Sequence, residues 1–139
     1  MMTQETITHR LLLVAGLSGA LGVIMGSFGA HGLDGFLEGR GIEPDVVAKR
    51  LEQFNVGVRY HLVHSAALLA LAAITIGSPA VRRWVGRLFL CGLVLFSGSL
   101  YLLVLTDTPA LGAITPIGGV CWIIAWCLLP LMARGTPPE

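Results

Sequence analysis

Three of the chain's four histidines carry most of the chemistry its residue types allow. His61 and His64 stand three residues apart, which puts both imidazoles on one face of a helix, and His31 closes an earlier apolar run. Such a trio can ligate zinc or haem. No carboxylate is fixed beside them and no cysteine lies near, so no metal and no other cofactor is expected. Arg59, Tyr60, Ser97, Ser99, Tyr101 and Thr115 complete the polar set. Ser97 or Ser99 beside a histidine would resemble a nucleophile–base pair. Serines in membrane helices more often bond a neighbouring carbonyl. There is no phosphate-binding loop and no pair of intramembrane carboxylates, so catalytic residues are not expected.

The stretch Gly26-Ser27-Phe28-Gly29-Ala30-His31-Gly32-Leu33 is the second place where chemistry is conceivable. Its three glycines could cradle an anion. They fall at the C-terminal end of a helical run, however, where carbonyls are exposed and the helix dipole disfavours negative charge. Close packing and capping, with Gly32 as the cap, is the better reading.

The elements that must position these groups follow from composition. The chain has 139 residues, enough for one domain, of which 55% are hydrophobic and only 12% charged. A typical soluble domain carries about 25% charged residues, so the chain reads as integral membrane. Net charge is +1 with no basic run, which argues against nucleic acid as a partner. Cys91, Cys121 and Cys127 lie in apolar runs and form no Cys-x-x-Cys pair; they read as small hydrophobes with free thiols.

Four apolar runs, about 11–30, 60–77, 88–106 and 116–133, are each long enough to span hydrocarbon as a helix. A cleaved signal peptide competes for the first, with Ser27-x-Gly29 as the cut, but the run exceeds the usual 7–15-residue h-region. Residues 31–59 form a polar loop and an amphipathic helix. Pro44 begins that helix, and Val47, Leu51, Phe54, Val58 and Leu62 mark one face of it. It runs without a break into the second span, as one helix over 45–77. Gly77-Ser78-Pro79 breaks the chain, and Arg82, Arg83 and Arg87 mark a membrane edge. The expected fold is therefore an all-α, four-helix transmembrane bundle with an amphipathic extension leading into the second span. Thr115-Pro116 reads as an N-cap followed by proline at the first helical position. Small residues at Ser18, Gly22 and Gly26, at Ala66 and Ala70, and at Gly118 predict close helix packing, with a homo-oligomer as one use of it.

Four spans leave both termini on one side. That side carries Arg10, Arg82, Arg83, Arg87 and Arg134, against Arg40, Lys49, Arg50 and Arg59 on the other. The bias predicts cytoplasmic termini. It also puts His31, Arg59, Tyr60, His64, Ser97, Ser99, Tyr101 and Thr115 together at the outer mouth of the bundle.

Four segments carry a family resemblance. They are Gly26 to Leu33, Phe54…Val58-Arg59-Tyr60…His64, Phe96-Ser97-Gly98-Ser99-Leu100-Tyr101, and Gly112-Ala113-Ile114-Thr115-Pro116-Ile117-Gly118-Gly119. Over roughly residues 10–130 the chain resembles the domain of unknown function 423 family of small bacterial membrane proteins, to which eukaryotic transmembrane protein 256-type proteins are similar. The resemblance implies a four-span inner-membrane protein and supplies no activity. It implies Gln at the position of His61 and Ala at that of Gly57, so the His61/His64 pair is not a family feature. Three functional readings remain. The first is a non-enzymatic scaffold or accessory membrane protein. The second is a small transporter or proton-linked carrier using His31, Arg59 and His64. The third is a membrane-embedded enzyme.

Overall fold

The computed structural model describes residues 3–133; Arg134 and the Pro137-Pro138 tail, read above as closing the chain, lie outside the described residues. Every regular element among the described residues is helical: α1 (Gln4–His31), α2 (Leu33–Glu38), α3 (Pro44–Ala73), α4 (Pro79–Gly92), α5 (Ser99–Thr106) and α6 (Thr115–Ala133). A π-helical segment, Leu93–Gly98, joins α4 to α5, and a 3₁₀ turn, Pro109–Ala113, precedes α6. α1, α3, the continuous α4–α5 rod and the stretch Pro109–Ala133 are four helices long and apolar enough to cross a membrane.

The helices begin and end for local reasons. Thr3 caps α1 by accepting the Thr6 amide, and the Gly32 amide closes it onto the Phe28 carbonyl. Gly32 has φ −127°, so its capping needs no left-handed backbone. Pro44 stands in the first turn of α3, where a missing amide hydrogen costs nothing. Asp107 ends α5 in the left-handed conformation, at φ 50°. Gly77 has φ +81° and faces the Met132 backbone so closely that no Cβ fits.

Three expectations need correction. The segment after Gly32 is not an aqueous loop: Leu33 and Leu37 of α2 are fully buried with Val47, Phe54 and Val104. α3 ends at Ala73, four residues before the expected break. The third span begins at Pro79 rather than Leu88, because Ser78-Pro79 starts a helix in the way Thr115-Pro116 was expected to.

The Pro79 start brings Arg82 inside. Arg82 was expected to mark a membrane edge, but it is completely buried. Its guanidinium donates to the Leu71 and Ala72 carbonyls at 2.8–3.2 Å, to the Gln4 side chain at 3.0 Å and to the Thr8 hydroxyl at 2.9 Å. An arginine in the hydrocarbon core costs about 2.5–3.5 kcal/mol on insertion scales. Here its charge sits on the negative end of α3 and satisfies carbonyls that have no intrahelical partner. Gln4 completes this joint by donating to Thr75 and Gly77.

Two cores fill the bundle. One, near the Arg82 end, is built on Leu11, Leu68, Phe89 and Trp122; the other, near α2, on Phe54, Tyr101 and Val104. At the α2 end Arg50 is buried and donates through Nε (3.0 Å) and Nη2 (2.6 Å) to Asp107, pinning α3 to the turn after α5. Arg40 donates to the Leu105 carbonyl beside it. Arg50 lies in the apolar face Val47, Leu51, Phe54, which explains its burial.

Candidate functional site

Where α1 meets α3, the α1 glycines leave room for α3 side chains to lie directly on the α1 backbone. A Cβ on Gly22 would stand 2.8 Å from Leu62, one on Gly26 3.2 Å from Val58, and one on Gly29 3.0 Å from Phe54. The stripe Ser18, Gly22, Gly26 is thus the seam that lets two helices approach. Gly118 does the same on α6, lying against the backbone of Leu95 and Phe96. Ala66 and Ala70, expected to pack likewise, are exposed on the outer surface of α3.

At the head of this seam lies a chain of polar groups. His61 Nδ1 is 3.1 Å from the Tyr101 hydroxyl, and its Nε2 is 3.1 Å from Ser18 Oγ. Ser18 Oγ is 2.6 Å from Ser65 Oγ, which donates to the His61 carbonyl at 2.9 Å. Counting hydrogens leaves one arrangement. Ser65 has used its hydrogen on the carbonyl, so Ser18 donates to Ser65. Nε2–H then donates to Ser18, and Nδ1 accepts from Tyr101. The chain ties α1, α3 and α5 together. Ser18 lies roughly 20 Å from either end of α1 at 1.5 Å per residue, so the cluster sits in the middle of the bundle rather than at its mouth.

His64 faces the other way. Its ring stacks on Trp122 at 3.7 Å between centroids and 4° between planes, with Phe89 and Trp126 around it. Nδ1–H donates to the Tyr60 carbonyl at 2.8 Å, and the Trp126 indole donates to Nε2 at 3.4 Å. Tyr60, although half-exposed, stacks on Trp122 and meets Phe96 at a tilt of 43°. Trp122 donates to the Phe89 carbonyl and lies flat over Gly92, where any side chain would collide with the indole.

The remaining predicted site residues divide. Ser97 donates to the Gly57 carbonyl at 2.9 Å, and Ser99 meets Thr115 at 2.8 Å while donating to Phe96. Ser97 lies within the π-helical segment and Ser99 directly follows it, where carbonyls lose their regular partners. His31 and Arg59 are exposed and join none of these groups; His31 lines a shallow surface hollow with Ile24 and Phe28. The mouth cluster is therefore not assembled: His31 is exposed at the surface, whereas His64 is buried between α3 and α6. Among the described residues no group of three or more His, Cys, Asp or Glu side chains is placed to hold a metal. Ser18 was expected only to pack and His61 only to be weighed as a metal ligand; the bonded chain that joins them through Ser65 was not anticipated. The signal was available, since Ser18 and Gly22 share a face and Ser65 follows His61 by one turn.

The comparisons with known proteins agree with this architecture. The family model described as "Protein of unknown function (DUF423)" matches residues 25–119. The chain is 39% identical over 127 residues to the UPF0382 membrane protein YwdK of Bacillus subtilis, covering 88% of this chain and 94% of that one. It is 40% identical to a UPF0382 membrane protein of Staphylococcus saprophyticus, over 85% of this chain and 91% of that one. It is 36% identical to a UPF0382 membrane protein of Haemophilus influenzae, over 87% and 90%. No solved structure matches. The chain, a membrane protein with four helices able to span the bilayer, belongs to the DUF423 family of proteins of unknown function.

Proposed function

We propose that the protein is a non-enzymatic scaffold or accessory protein of the bacterial inner membrane, and that its internal polar groups hold helices together. One observation carries the reading: among the described residues, no buried side-chain nitrogen or oxygen lacks a hydrogen-bond partner. Side chains that bond one another leave little to offer a substrate. The transporter reading draws on His31 and Arg59, which are exposed and apart from the internal groups, and on His64, which is buried among aromatic rings with both ring nitrogens bonded.

Both termini are cytoplasmic in this reading. α1 begins and α6 ends at the same end of the bundle, where Arg10, Arg83 and Arg87 line one groove. Reporter fusions at Ser78 and at the C-terminus both read cytoplasmic if this is right, and an external signal from either refutes it. Assembly as a homo-oligomer would use the open side of α1, where Gly16 and Gly19 face empty space beside the exposed Ala66.

The test of the scaffold reading is the pair His61→Ala and His64→Ala. Both variants are expected to lose thermal stability in proportion to the bonds removed. Either one keeping full stability while abolishing a proton or solute flux in liposomes would replace scaffold with carrier.

A further inference from the structure

α1 and α4 meet where Arg82 bonds Gln4 and Thr8 and where Leu11 packs against Gly86, and outside these contacts the gap between them is a groove open to the side of the bundle. Near the terminal end a hollow of about 260 Å³ is lined by Leu11, Val14, Leu68 and Leu90, with Arg10, Arg83 and Arg87 around its rim. Val14 and Leu90 also line a second hollow of about 370 Å³, whose walls include Leu17, Leu21 and Val94 and whose floor is the bonded chain of Ser18, His61 and Tyr101. The two hollows are one furrow following successive turns of both helices. Among the described residues no carboxylate lines either part.

Charge and length both specify an occupant. Three guanidiniums from two helices converge on one rim, and a guanidinium pairs with phosphate oxygens through parallel N–H donors. From Arg10 to Leu21 the furrow runs about 16 Å along α1, half of the roughly 30 Å hydrocarbon thickness. One leaflet is what a single acyl chain crosses. A soluble anion would use the rim and leave the furrow unexplained; a zwitterionic lipid would bring its own cation to three others. Basic pockets between transmembrane helices are known places for anionic headgroups.

We propose that the α1–α4 furrow binds an anionic phospholipid, with its phosphate at Arg10, Arg83 and Arg87 and one acyl chain lying over Leu11, Val14 and Leu90. Arg87 is also held beside the Trp84 ring, 5.4 Å from its centroid, which limits the directions the guanidinium can take.

The experiment is native mass spectrometry of the whole purified protein, titrated with phosphatidylglycerol or with phosphatidylcholine of the same chains. Phosphatidylglycerol is expected to bind about tenfold more tightly, with roughly twofold of that preference lost per arginine in the series R83Q, R83Q/R87Q and R10Q/R83Q/R87Q. Val94→Trp fills the furrow from an exposed, lipid-facing position; it should weaken phosphatidylglycerol binding while leaving thermal stability in phosphatidylcholine nanodiscs unchanged. If that variant is unstable, Leu17→Trp probes the opposite wall. Equal retention of the two lipids overturns the proposal. So does an unchanged preference in the triple glutamine variant, which would make the arginines irrelevant. A groove-filled variant that keeps the full preference overturns it too, by reducing the arginines to bulk surface charge. Glycerol 3-phosphate carries the headgroup without chains, and its competing as well as the lipid would overturn the role given to the furrow.

Discussion

His61 and His64 are each 5% exposed and three residues apart on α3, yet they are used in opposite ways. His61 acts through its nitrogens, joining Tyr101 to Ser18 and so linking α5 to α1 across α3. His64 acts mainly through its face, as one ring in a stack with Trp122 and Tyr60. The α1 side of α3 is a seam of glycines with polar groups at its head; the α6 side is a block of aromatic rings. The difference follows from what lipid permits. Apolar surface gains nothing by moving from lipid tails to a helix interface, so association relies on close backbone approach, hydrogen bonds or large contact areas. The protein uses the first two on one side and the third on the other.

The contrast can be broken most forcefully at Trp122. Trp122→Ala removes the centre of the stack and is expected to cost about 3 kcal/mol. That is the lower end of the range for deleting a core aromatic, because lipid supplies no added penalty for exposing apolar surface. Equilibrium unfolding in mixed micelles measures it, and a loss under about 1 kcal/mol would mean the aromatic side is not what holds α6. An identical substitution at the two histidines is a sharper probe. His61→Phe leaves the Tyr101 hydroxyl without its acceptor and Ser18 without its donor, and should cost about 1–2 kcal/mol. His64→Phe keeps a ring in the stack and should cost less than half as much. Equal losses would erase the distinction between the two sides. The smallest effects belong to the glycines of α1. Gly22→Ala meets Leu62, a side chain that can yield, at a cost of about 1 kcal/mol. Gly16→Ala meets nothing and should be neutral or gain at most about 1 kcal/mol. If Gly16→Ala instead lowers stability only at concentrations where copies associate, the open side of α1 is an oligomer contact.

The four spans, Pro44 at the start of α3, and Gly22 and Gly26 as packing residues were legible in the sequence, because length, hydropathy and four-residue spacing are direct consequences of helix geometry in lipid. The place of His31 was legible too, but by a different count. Nine residues at about 100° each put it on the far side of α1 from the buried Gly22, so closeness to the bundle end did not make it a neighbour of His64. Arg59 fails for the same reason, lying beside the buried Val58 yet facing outward. Leu33 and Leu37 were hidden by the glycines around them, although their four-residue spacing is helical. Arg82 could not be read from hydropathy at all. Its burial depends on carbonyls that α3 frees by ending at Ala73, and on Gln4 and Thr8, more than 70 residues away in sequence.

That dependence sets an order of events for making the protein. The pocket around Arg82 is shared by α1, α3 and α4, so it does not exist while the helices enter the membrane one after another. Until then the guanidinium lacks the carbonyls and side chains it bonds in the bundle, and it must stay hydrated. Once α1 docks, the same side chain loses its water and becomes the clasp across three helices. Arg82 is thus a fastening made only when three helices have met, and reopening the clasp would mean returning a charge to water.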